Sequence, residues 1–192
     1  MLKFIKDITW EEIFEGWRGR EASNPGWIRT ATEIKGWPDW ESWRKFTSSL
    51  LSAEKRSWKI YKFTDPMNDI PAMLVGPYGG WQEKLPEKNK NSFEELLAIS
   101  ENYEFFRNHT TVAALTKDFP CPTEFIGLIR EDNGKVVCFE GHHRATAVAL
   151  AKKEGRKINC ENIRIAIAQL PKEECPLLDG VLRRGTSKSP QA

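Results

Sequence analysis

Residues 124 to 153 run from strand through turn and strand to helix without a break, and that run limits the fold more than any other stretch. Glu124-Phe125-Ile126-Gly127-Leu128-Ile129-Arg130 is a strand-like apolar run, and Lys135-Val136-Val137-Cys138-Phe139 returns after Asp132-Asn133-Gly134. Asn and Gly both tolerate positive φ, so an Asn-Gly turn between two such runs marks an antiparallel hairpin. The returning strand leads directly into Glu140-Gly141-His142-His143-Arg144 and an alanine-rich helix, Ala145 to Lys153, with Gly155 placed to end it. Ile163, Ile165 and Ile167 then alternate along a further strand. A hairpin, a helix and another strand in that order require a mixed α/β (α+β) fold.

The front of the chain reads differently. Seven of the eight tryptophans fall within the first 58 residues. Thr9 or Asp7 can cap a helix through Trp10, Ile13, Phe14 and Trp17, whose spacing marks one apolar face. Asn24-Pro25-Gly26 makes a turn. Pro38 suits a first helical turn ahead of Trp40, Trp43 and Phe46. Indoles at such spacing are core or interface, because aromatic side chains carry the largest burial gain. Trp58 to Phe63 alternates as a half-buried strand, and Ile70 to Val75 reads as a buried one. Gly76 to Trp81 is a turn-rich loop, and Glu83 to Asn91 a polar, mobile one. Ser92 with Glu95 forms a capping box for the next helix, and helical pattern returns from Val112 to Leu115 until Pro120 and Pro122 stop it. The expected organisation is a tryptophan-rich, mainly helical extension (1–64) packed on a core of mixed sheet and flanking helices (65–175). A partly disordered tail follows (176–192), its last ten residues carrying three cations and no acid.

Composition removes several classes. With 40% hydrophobic and 29% charged residues the chain can bury a core. No uncharged apolar stretch reaches the roughly 18 residues of a membrane span, and charges interrupt the N-terminus too often for a signal peptide. Cys121, Cys138, Cys160 and Cys175 form no C-x-x-C pair, which speaks for idle or buried thiols in a reducing, cytoplasmic setting. A net charge of +2 excludes a general nucleic-acid coat, though not a focused positive site.

Such a site is expected where the second strand meets the helix. First-turn N–H groups lack internal partners, and the helix dipole favours negative charge there. Gly141 lets the backbone turn and approach a ligand closely. Arg144 offers a forked cationic donor to phosphate oxygens, and His142 and His143 add donors that titrate near neutrality. The plainer alternative is a surface Glu140–Arg144 ion pair with histidines that only cap the helix.

On these residues the chain resembles the ParB/sulfiredoxin-like superfamily: Pro122-Thr123-Glu124-Phe125-Ile126, the Asn133-Gly134 hairpin, and Phe139-Glu140-Gly141-His142-His143-Arg144-Ala145. The motif Gly-x-x-Arg followed by an alanine-containing helix carries the likeness, which is specific over residues 136 to 151. The resemblance implies a nucleotide held by its phosphates at Gly141, His142, His143, Arg144 and Ala145. ATP, ADP or CTP is the implied cofactor, with Mg²⁺ at Glu140. His142 stands where sulfiredoxins carry their cysteine, so the motif is closer to that of free-serine kinases. The expected function is nucleotide and small-molecule substrate binding, extending to phosphotransfer onto an amino-acid-like acceptor with Glu140 and His142 as catalytic residues. Glu94 and Glu95 are base candidates by location, and Lys84, Lys88 and Lys90 can bring charge over the site. The alternatives are a non-catalytic nucleotide-sensing module, dimeric through its tryptophan-rich front, and third a DNA-binding or nuclease protein, against which the charge balance counts.

Overall fold

The computed structural model describes residues 2–185 and Lys188. Its centre is a five-stranded mixed sheet in the order β1-β2-β5-β3-β4, formed by β1 (Leu2–Ile8), β2 (Trp58–Phe63), β3 (Thr123–Arg130), β4 (Val136–Glu140) and β5 (Ile163–Leu170). Neighbours run antiparallel except β3 and β5, which run parallel with Thr123 opposite Ile163 and Arg130 opposite Leu170. The parallel pair follows from chain order: β4 brings the chain back to the end where β3 began, and α9 with the loop after it crosses over so that β5 starts at that same end.

Helices cover both faces. One layer consists of α1 (Trp10–Glu21), α2 (Pro25–Arg29) with a π-turn to Ile34, and α3 (Trp40–Ser49). The other contains α4 (Pro66–Asp69), α5 (Gly79–Gln82), α6 (Phe93–Ala98), α7 (Ser100–Asn108), α8 (Thr110–Lys117) and α9 (His142–Lys153). A last helix, α10 (Leu177–Arg184), returns to the first layer. The period-2 alternation of β5 explains the division of labour. Ala166 and Ala168 face the tryptophan layer, whereas Ile163, Ile165 and Ile167 face the layer of α9. Small residues on the sheet make room for the large indoles of Trp10, Trp17, Trp40, Trp43 and Trp58, all at most 7% exposed. No helix among the described residues is long and apolar enough to cross a membrane.

Several expectations are corrected here. The first 64 residues are not a helical attachment: they supply β1, β2 and one whole helical layer, and their tryptophans share a core with β3, β4 and β5. The N-terminal strand had no burial signature to read, because β1 is an edge strand exposed over Lys3 to Asp7 and bulged between Phe4 and Lys6. Ile70 to Val75 is not a strand. Only Leu74 pairs, with Val137 of β4 and with Ser92, while Ile70 to Met73 is folded into turn and core. α3 starts at Trp40 behind an Asp39 cap, which leaves Pro38 outside the helix. The segment 83–91 is tied down rather than loose: Lys88 Nζ donates to the Gln82 carbonyl and Asn89 N to Gln82 Oε1 (2.8 Å). Of the tail, residues 177–184 form α10, which buries Leu178 and Val181. The disorder expected beyond it concerns 186, 187 and 189–192, which lie outside the described residues.

Candidate functional site

Leu74 adds itself to the free edge of β4, donating N–H to Val136 O (2.8 Å) and accepting from Cys138 N (2.9 Å). That pairing brings Gly76 beside the start of α9, where its N–H donates to His142 Nε2 at 3.0 Å. A Cβ on residue 76 would lie 1.9 Å from Cys138 O and 2.6 Å from His142 Nε2, so only glycine fits. Gly76→Ala is expected to destabilise the protein at the upper end of the ~1–3 kcal/mol typical of overpacking, measured by urea unfolding. A loss within error would show that this loop can shift freely.

His142 is buried and accepts a hydrogen bond through Nε2, which makes it a neutral imidazole. Burial, aided by neighbouring His143 and Arg44, pushes its pKa down to about 3. His143 is pushed down to about 4, again mainly by burial, then by His109 and Arg144. The chain's three histidines meet here: His109 stacks on His143 (5.2 Å, 30°), and Trp81 touches both His142 and His143. Burial withholds from an imidazolium the hydration it would have in water, so His142 and His143 stay neutral.

Gly141 turns the chain with φ +109°, and its Cβ would strike Phe125 at 2.3 Å. α9 has no side-chain N-cap, and its first intrahelical bond runs from Ala145 N to Gly141 O (2.8 Å). Ala145 therefore has no N–H to give a ligand. The N–H groups of His142, His143 and Arg144 precede that bond and remain available to one.

The arginine is where the motif departs most from expectation. Arg144 donates Nη2 to Glu140 Oε1 and Nη1 to Thr123 Oγ1 and to Glu124 O (2.9 Å), and its guanidinium lies 4.9 Å from the Phe125 ring centre. The Glu140–Arg144 ion pair is thus formed, buried rather than at the surface. Glu140 Oε2 has no hydrogen bond and stands 3.5 Å from Arg20 Nη2. Bound between two guanidinium groups, Glu140 does not fit the part of an Mg²⁺ ligand or a base. Among the described residues no three His, Cys, Asp or Glu side chains gather as a metal site.

Sequence reasoning missed the other half of this cluster. Glu21 and Arg44 form a buried ion pair (3.1 Å), and Trp40 Nε1 also donates to Glu21 (3.1 Å). Arg44 lies against the rings of Trp17, Trp27, Trp40 and Trp43, the nearest at 4.1 Å. Desolvation raises the Glu21 pKa, which Arg44 opposes and Glu140 reinforces. Tyr78, from the loop after Gly76, touches Phe139 and His142, and burial pushes its hydroxyl well up. Arg44 Nε and Tyr78 OH are buried without a hydrogen-bond partner. A signal existed: Glu21 and Arg44 each follow a tryptophan by four residues, which sets a charge on the buried helix stripe.

The other candidates lie elsewhere. Glu95 closes the Ser92 capping box, which holds its carboxyl below the usual range. Glu94 pairs with Lys152 (3.2 Å), about 15 Å along α9 from its start by helical rise. Lys90 pairs with Glu87 (2.8 Å), and Lys84 lies over Phe105. Comparison of the chain with protein-family models, with curated proteins and with solved structures finds no match.

Proposed function

We propose that the protein binds a small phosphate-bearing molecule of the nucleotide class at the start of α9. The observation that carries this reading is an uncapped twelve-residue helix that begins on a left-handed glycine, beside buried polar atoms still without partners. The N–H groups of His142, His143 and Arg144 provide donors for phosphate oxygens. Arg20, Arg44 and Arg144 stand against Glu21 and Glu140, so the surrounding charge favours an anion. Trp27 and Trp81, each in ring contact with His143, offer aromatic faces for a base.

In this reading Gly141 and the backbone do the binding, Arg144 braces the turn, and His142 is a fixed neutral wall that accepts from Gly76. His143, less buried and neutral, is the imidazole positioned to meet a ligand. Phosphotransfer to an amino-acid-like acceptor is the catalytic extension of the same site. It requires a base other than Glu140, whose carboxylate lies between the Arg144 and Arg20 guanidinium groups, or His142, whose Nε2 lone pair accepts from Gly76.

Thermal unfolding with ATP, ADP, CTP and inorganic phosphate tests the proposal. Ligand at one hundred times its Kd adds about 2.7 kcal/mol, which raises Tm by roughly 5–10 °C in a protein of this size. Arg20→Ala is expected to lower the ligand-free Tm, because Glu140 Oε2 loses its neighbouring guanidinium, and to weaken the rise measured from that lower Tm. No rise with any nucleotide at millimolar concentration defeats the reading. Phosphorylated product from amino acids with ATP or ADP separates transfer from binding alone.

A further inference from the structure

The four cysteines are not equivalent. Cys138 is fully buried, and Cys175 sits with its thiol 3.6 Å from Pro171 O. Cys121 and Cys160 are both partly exposed and stand at one end of neighbouring strands. The parallel ladder of β3 and β5 begins at Thr123 opposite Ile163, so Cys121 is two residues before it on one side and Cys160 three before it on the other. Cys121 Sγ lies against the carbonyl oxygen of Glu161, the residue that follows Cys160. Adjacent strands are about 4.8 Å apart, within the roughly 4.4–6.8 Å Cα separation a disulfide spans. Burial and the neighbouring Cys121 thiol push the Cys160 thiol up, an electrostatic sign of the same proximity.

We propose that Cys121 and Cys160 form a dithiol modification site that a small disulfide of the glutathione-disulfide class converts to an intrachain bridge. One cysteine thiolate attacks a sulfur of the reagent, which forms a mixed disulfide and expels a glutathione thiolate that takes up the cysteine's proton. The second cysteine thiolate then attacks the protein sulfur, forming the Cys121–Cys160 bond and expelling the second glutathione, which takes the second proton. Two protein thiols are oxidised and one small disulfide is reduced to two thiols. The bridge encloses residues 121 to 160, and with them β3, β4 and α9 whole. It also staples the start of β3, where Thr123 and Glu124 hold the guanidinium of Arg144. Oxidation at this site thus tightens the unit that carries the Gly141 turn, at the end of the sheet where Arg144 meets Glu140.

The test treats the full chain with glutathione disulfide, blocks remaining thiols with N-ethylmaleimide, and maps the peptides by mass spectrometry. The expected product is a Cys121 peptide joined to a Cys160 peptide with loss of two hydrogens. Its Tm rises by about 5–10 °C, because the bridge restricts the unfolded chain. Cys160→Ser is expected to retain a glutathione adduct at Cys121 without the rise, and Cys121→Ser the converse adduct at Cys160. Separate adducts on both cysteines of the unaltered chain, pairing with Cys138 or Cys175, or no reaction at either position overturns the proposal.

Discussion

Lowering the pH from 7 to 5 is expected to remove about 4 kcal/mol of folding stability through His142 and His143 alone. In the folded chain these imidazoles titrate at about 3 and about 4, against 6.5 for an unburied histidine. Between the folded and unfolded values the unfolded chain binds protons that the folded chain refuses. Stability is therefore complete above pH 6.5 and falls with acid, by about 1.4 kcal/mol per pH unit for each histidine. Glu21 works the other way: its raised pKa lets the folded state take a proton first, which offsets part of the loss towards pH 4.5. Against a typical total of about 5–15 kcal/mol, the histidine contribution decides whether the fold survives mild acid. Urea unfolding at half-unit pH steps measures it, and His143→Gln is expected to halve the slope. A stability that stays flat from pH 6.5 to 5 would show that the two rings are hydrated in the folded chain.

The second large effect concerns the buried charges. Glu140→Leu is expected to cost about 3–5 kcal/mol, because it strands Arg144 and Arg20 without their carboxylate. Glu140 and Arg144 have side chains only 7% and 11% exposed, so little solvent screening softens the loss. The double variant Glu140→Leu/Arg144→Met removes both charges and is expected to recover a substantial part of the stability. A double-mutant cycle reads the coupling. Losses that simply add, or a single-variant cost under about 1 kcal/mol, would mean that the pair is dispensable to the fold.

Much of the local structure was legible because its causes are local. Thr9, one of the two caps expected for α1, closes a capping box with Glu12, and the Ser92 capping box, a four-residue pattern, forms as read. So do the hairpin around Gly134, the β2 alternation and the start of α9 at Gly141, each set by φ preference or side-chain period. Misreadings fall where tertiary contacts override those rules. β1 alternates poorly, and two-sided exposure removed its period. Ile70 to Val75 was apolar enough for a strand, yet its apolarity serves core packing around α9, with only Leu74 left to pair. Arg144 read as a ligand donor because its type and spacing fit. Its actual partners, Thr123 and Glu124, lie twenty residues upstream.

From the sequence alone came the mixed α/β class, the strand–glycine–helix junction and the tryptophan stripes, all consequences of backbone preference and hydrophobic period. Only the tertiary structure decided what those features do. The tryptophan stripes became one wall of the core because Ala166 and Ala168, more than a hundred residues away, leave space for them. Arg44 and Glu21 paired among the indoles, Glu140 was bound by Arg144, and His142 was left neutral. Spacing along the chain allows the Glu140–Arg144 pair and sets Glu21 and Arg44 on tryptophan stripes, but how far each group is desolvated and which distant charges it meets depend on what the fold brings within a few ångströms.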